Sequence, residues 1–251
     1  MADWTTGGDA RRQAATPNTG LTAAQLVHER LRDEIVSLHR RPGDVIYEKE
    51  IAQEAQVSRT PVREALLRLA DEKLVEIVPK SGTIVARIPV AMLPEIILAR
   101  TALESITVRA AAERARGSDV AGLRAILELQ REKLAAGDLD GFHAADEGLH
   151  RAIAAAAGLP GIWDMVQQLK VQLDRYRRLT LPQPQRMDKA LSEHEAIVDA
   201  IAAREVDAAV GRVSSHLEGL TLSLAAIREL NPDYFTGDVQ AVYARWAPAL
   251  N

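Results

Sequence analysis

Residues 57–73, VSRTPVREALLRLADEK, read as a single helix with a sharp start. Pro61 falls in the first turn, where a missing N–H costs little. Val62, Ala65, Leu66 and Leu69 follow at helical spacing, so one face is apolar and the helix is predicted over 59–73. Upstream, residues 48–55 (EKEIAQEA) predict a short helix with Ile51 and Ala52 facing inward, joined through the tight connection Gln56-Val57-Ser58. Downstream, residues 74–78 and 83–87 alternate and are rich in β-branched side chains. Pro79-Lys80-Ser81-Gly82 lies between them, which is the pattern of a β-hairpin. Further upstream, Thr22 can cap a helix over 23–39 whose predicted apolar face is Leu26, Leu31, Ile35 and Leu38. Arg41-Pro42-Gly43-Asp44 ends it, and Val45-Ile46-Tyr47 forms a short extended piece. Helix, helix, turn, helix, hairpin is the order of a winged helix-turn-helix.

Ile88-Pro89-Val90 reads as a linker. From there to residue 229 only helical periodicity remains, with helices predicted over 91–116, 118–136, 138–157, 160–180, 185–203 and 205–229. The expected fold is mainly α, with an N-terminal winged helix-turn-helix and its small β-hairpin wing over 21–88. A C-terminal all-α helical bundle follows over 91–229. Residues 1–20 lack periodicity and are expected to be a disordered arm; residues 230–251 are expected to be a tail.

Composition narrows the function. The 251 residues are 47% hydrophobic but only 4% aromatic, so the cores must be aliphatic. There is no cysteine, which excludes disulfides and thiolate metal sites and suits a reducing cytoplasm. No apolar run reaches the roughly 18–20 residues of a membrane helix, so no membrane partner is expected. The net charge of −4, averaged over the chain, speaks against nucleic acid, but a DNA binder needs only a local basic face. Such a face exists over 57–68, where Arg59, Arg63 and Arg68 stand against Glu64 alone. In a helix-turn-helix the N-terminal residues of the second helix reach base edges in the major groove, and arginine is suited to guanine. Arg59 and Arg63 are therefore the candidate base readers. Ser58 and Thr60 can donate to phosphates, Lys49 can touch the backbone, and Lys80 beside Gly82 would bring the wing to the minor groove.

Asp146 and His150, four residues apart, share one helix face. His194 and His216 lie inside later helices. Three imidazoles and a carboxylate suit a divalent transition metal such as Zn, Ni or Mn. On spacing alone, a surface Asp–His pair and isolated histidines are the readier explanation, and His143 on the same helix is a confounder.

Residues 46–88 resemble the DNA-binding domain of GntR-family bacterial regulators, above all in VSRTPVREAL followed by L-V-x-x-x-P-x-x-G-x-x-V. The resemblance spans 21–88 and implies a homodimer on a short palindromic double-stranded operator, with Arg59 and Arg63 reading bases. Tyr47-Glu48-Lys49 departs from it, since many members have Pro and Arg there; lysine keeps the charge but loses the planar fork. Residues 91–229 resemble the FCD effector domain of the FadR-like branch, in RTALE (100–104), FHAADEGLH (142–150), EHEAI (193–197) and SHL (215–217). That resemblance implies a metal held by Asp146, His150, His194 and His216, without His143. It also implies a cavity-facing Arg100 that clamps a small carboxylate effector, against the simpler alternative of a salt bridge to Glu104. Arg175, Tyr176 and Arg178 are further candidates for lining the pocket. The expectation is a cytoplasmic, metal-containing, ligand-responsive regulator, read as a repressor and not an enzyme. A metalloenzyme and a metal-stabilised dimerisation scaffold are the alternatives.

Overall fold

The computed structural model describes residues 20–79, 82–180, 185–222 and 232–238. The first helix, α1 (Ala23–Val36), begins in a capping box: Thr22 Oγ1 accepts from the Gln25 amide at 3.2 Å, and Gln25 Oε1 accepts from the Thr22 amide at 2.7 Å. Its buried face is Ala24, Val27, Leu31 and Ile35. Leu26 and Leu38 were expected there, but Leu26 is exposed, and Leu38 lies beyond the helix in a turn with φ of 63°. β1 (Val45–Ile46), α2 (Glu48–Glu54), α3 (Arg59–Asp71), β2 (Val75–Val78) and β3 (Gly82–Val85) follow. The sheet has three antiparallel strands in the order β1-β3-β2, so the extended piece before α2 adds to the expected hairpin. Gly82 pairs with Val78 at φ +108°, a conformation that favours glycine. Leu31, Ile35, Ile46, Ile51, Val62, Leu66, Leu69, Leu74 and Val85 form an apolar core.

The expected linker is itself ordered: β4 (Ile88–Pro89) and a 3-10 turn (Val90–Met92) lead into α4 (Leu93–Arg114). Then come α5 (Gly117–Ala135), α6 (Leu139–Ala156), α7 (Pro160–Leu169), α8 (Val171–Thr180), α9 (Arg186–Ala202) and α10 (Val206–Leu222). α4 is central and packs on α6, α7, α9 and α10. The predicted helix over 160–180 is two helices. They part at Lys170, whose Nζ is drawn into a buried pairing with Glu147 Oε2 at 2.5 Å and Asp174 Oδ2 at 2.6 Å. Part of the expected tail returns to the body: β5 (Phe235–Thr236) pairs in parallel with β4, and Phe235 joins the helical core. The rest of the tail, Lys80 and residues 1–19 lie outside the described residues. No helix among the described residues is long and apolar enough to cross a membrane.

Candidate metal centre and nucleic-acid interface

The apolar side of α6 faces the core, and its register brings Asp146 and His150 inward one turn apart. α9 and α10 add His194 and His216. All four residues are buried, and one ligand atom from each lies within 4.8 Å of the others. His194 Nε2 is 3.2 Å from His216 Nε2 and 3.4 Å from Asp146 Oδ1.

The far side of each imidazole is already occupied. His194 Nδ1 faces Gln130 Oε1 at 3.0 Å, His216 Nδ1 faces Glu193 Oε2 at 2.8 Å, and His150 Nδ1 is paired with Glu104 Oε2. An acceptor at Nδ1 fixes the proton there and leaves Nε2 as a lone pair. Two such lone pairs face one another across 3.2 Å, and His150 Nε2 is buried with no hydrogen-bond partner among the described residues. Burial, above all, holds the His194 and His216 imidazoles below the ordinary range, so they are neutral. Neutral imidazoles with acceptors behind them and a carboxylate at their centre match the donor set and supporting contacts of a transition-metal ion. Burial alone would raise the Asp146 carboxyl. The paired Arg177 guanidinium outweighs that and keeps it ionised.

His143, Asp146 and Glu147 form a second grouping of possible ligands. Its carboxylates are taken by cations: Asp146 accepts from Arg177 Nη1 and Nη2, each at 2.8 Å, and Glu147 from Lys170. His143 is thus left outside the four-residue cluster, and burial lowers its pKa to about 4.

Arg100 is fully buried on α4, and its Nε donates to Glu104 Oε1 at 2.5 Å. The expected alternative of a pairing with Glu104 is therefore present. It uses only Nε, while Nη1 and Nη2 have no hydrogen-bond partner among the described residues. Glu104 bridges Arg100 to His150 through its two oxygens. Arg178 pairs with Asp140. Arg175 reaches away from the cluster to the Ala86 carbonyl, at 2.5 Å. Gln130, Glu193 and Arg177 were not anticipated. Gln130 and Arg177 lie on helices that carry none of the four ligands, and Glu193, although next to His194, backs His216 on another helix, so no spacing rule links them.

At the other end, Ser58, Arg59, Thr60 and Arg63 are all exposed at the start of α3. Ser58 occupies the N-cap position but makes no side-chain cap bond. Arg63 is ion-paired with Glu48 at 2.9 Å, and Lys49 is exposed on α2. Gly82 is exposed at the start of β3, beyond the tip of the wing.

The two halves define the class: a winged helix-turn-helix DNA-binding module carried on an all-helical domain with an ionisable core. The chain belongs to the gntR family of bacterial regulatory proteins. Residues 23–85 match that family's model and residues 95–219 match the FCD domain, which makes this a transcriptional regulator of the GntR/FCD type. It is 31% identical over 212 residues to the HTH-type transcriptional repressor RspR of Escherichia coli, spanning 84% of this chain and 93% of that one. Among solved structures it is similar to a putative GntR transcriptional regulator of Rhodococcus sp. RHA1, with a TM-score of 0.68 and 27% identity over 81% of this chain and 98% of that one. It shares the fold of E. coli McbR/YncC, with a TM-score of 0.69 and 22% identity over 83% of this chain and 98% of that one.

Proposed function

We propose that this regulator is a homodimeric, cytoplasmic repressor whose helical domain holds a divalent transition metal at Asp146, His150, His194 and His216 and senses a small carboxylate there. The observation behind this is the convergence of three imidazole Nε2 atoms whose Nδ1 atoms are all backed by acceptors. Arg100 supplies the effector contact. A fully buried guanidinium with two unpaired nitrogens is costly unless an anion meets it, and arginine binds carboxylates in a two-pronged geometry. Glu147 and Glu195, the acids beside the ligands, are each held by a cation, Lys170 and Arg131, which favours sensing over catalysis.

Ser58, Arg59, Thr60 and Arg63 would enter the major groove, with Lys49 on the backbone and Lys80 and Gly82 in the wing. Arg63 would exchange Glu48 for DNA. The exposed apolar stripe Leu98, Ala102 and Ile106 on α4, with Met165 beyond it, supports a second copy as the partner. The 21–88 and 91–229 boundaries describe the two units.

The test is elemental analysis of the purified protein, with a thermal-shift screen of small carboxylates with and without chelator. The expected result is about one Zn, Ni or Mn per chain, lost in His194→Ala, and carboxylate stabilisation that needs both the metal and Arg100. Metal retained at full stoichiometry in His194→Ala overturns the assignment.

A further inference from the structure

We propose that α8 is a latch between the domains, closed by Gln172 and Arg175, through which occupancy of the metal-ligand cluster reaches the base of the wing. Gln172 Nε2 donates to the Lys73 carbonyl at 3.0 Å, just past the end of α3. Arg175 Nη2 donates to the Ala86 carbonyl, the residue after β3. Arg175 Nη1 donates to Gln172 Oε1 at 2.9 Å, so the two latch side chains brace each other. Their targets are neighbours as well, since the Ala86 amide donates to the Leu74 carbonyl at 2.9 Å. The latch therefore grips the base of the wing, just before β2 begins and just after β3 ends. Val171, at the start of α8, packs into the winged-domain core.

Two features mark these contacts as more than packing. Arg175 is fully buried, and its hydrogen-bond acceptors among the described residues are a carbonyl and an amide oxygen, with no carboxylate. Taking a cation out of water on such terms is expensive and is not needed to fill space. A half-open groove of about 450 Å³ runs along the seam beside it, against Lys73, Met92, Ile96, Leu169, Val171 and Gln172. Beside the groove, the polar bonds of Gln172 and Arg175 join the packing of Val171 in fixing how the winged domain sits.

Two residues after Arg175, Arg177 holds both oxygens of Asp146. An ion at Asp146 would draw on the same oxygens and weaken the hold of Arg177 on them, which makes Arg177 the point at which α8 would sense occupancy. Gln172 and Arg175 ride on the same ten-residue helix and move with it. This step rests on the metal assignment; the latch itself does not.

Hydrogen exchange on the full chain separates the two, comparing metal-free protein with protein given Zn²⁺ alone. In the wild type, Zn²⁺ is expected to change exchange in α6, α9 and α10 and also at residues 73–75 and 85–88. In Gln172→Leu/Arg175→Met, which keeps side-chain bulk, the helical-domain response should persist while the response at 73–75 and 85–88 disappears. Those segments should also exchange at least about tenfold faster without metal, as loss of a hydrogen bond from a charged group implies. An undiminished Zn²⁺ response at the wing base in the variant overturns the latch and leaves the metal site standing. If Zn²⁺ changes nothing in the wild type, the metal assignment fails. The variant's own exchange at 73–75 and 85–88 then decides the latch, which is supported if faster and overturned if unchanged. Should the double variant not fold, Gln172→Leu alone gives the same readout at 73–75.

Discussion

The two domains solve opposite problems with the same kinds of residue. In the winged domain the core is entirely aliphatic, and the arginines of α3 stand in water, with Arg63 still 62% exposed on its side chain. In the helical domain Arg100 and Arg177 are buried, among Glu104, Asp146 and three histidines. A surface arginine contributes little to stability and is available to a partner. A buried one is tied to its counter-charge, and removing either leaves the other stranded. The placement of arginine thus separates a domain that offers its cations at the surface from one that keeps them inside.

The largest test of this contrast removes one arginine from each side. Arg177→Met strands the Asp146 carboxylate, and the metal-free protein is expected to lose about 3–5 kcal/mol of unfolding free energy. Arg63→Met, at an exposed pairing, should change stability by less than about 0.5 kcal/mol. Urea denaturation in chelator measures both. Adding Zn²⁺ should recover part of the Arg177→Met loss, because an ion replaces the missing cation at Asp146. Equal effects for the two variants would erase the distinction.

Acidification sharpens the contrast next. Burial depresses the His143, His194 and His216 imidazoles in the folded state, His143 to about 4, while the unfolded chain titrates near 6.5. Above that value both states are neutral and nothing is lost. Below it the unfolded chain takes up protons first, so stability falls as pH falls, by about 2 kcal/mol at pH 5 from His143 alone. No described histidine of the winged domain is buried. Exchange followed from pH 7.5 to 5 should therefore show α6, α9 and α10 opening before α1 and α3. Simultaneous opening, or a urea midpoint flat over that range, would contradict the assignment of cause.

The same asymmetry explains what could be read in advance. The winged domain is written in local rules: Pro61 in the first turn of α3, apolar residues at 62, 65, 66 and 69, and two alternating runs around a glycine. The helical domain's site is not. Asp146 and His150 announce themselves by spacing, but their meeting with His194 and His216 is a product of how α6, α9 and α10 pack, and only the family resemblance joined them. The helices α7 and α8 part at Lys170 without proline or glycine, so the junction has no local signal in the sequence. Val27 displaces Leu26 from the α1 face, since helix rotation is set by what packs against it. Arg175, expected at the pocket, instead reaches a backbone carbonyl from the other domain.

The smallest expected effect compares two helix starts within the winged domain. Thr22 and Ser58 occupy equivalent N-cap positions with similar hydroxyls. Thr22 bonds the Gln25 amide and completes a capping box, so Thr22→Ala should cost about 1 kcal/mol. Ser58 makes no cap bond, so Ser58→Ala should leave stability within about 0.5 kcal/mol of the wild type. The first-turn amides of α3 and the Ser58 hydroxyl are then left for a phosphate, which is where a helix N-terminus meets an anion. Thermal unfolding and nonspecific duplex binding at low salt, measured on both variants, should separate: Thr22→Ala loses stability and keeps affinity, whereas Ser58→Ala keeps stability and loses affinity. If Ser58→Ala loses stability as Thr22→Ala does, the hydroxyl is serving the fold, and the case for a phosphate contact at Ser58 goes with it.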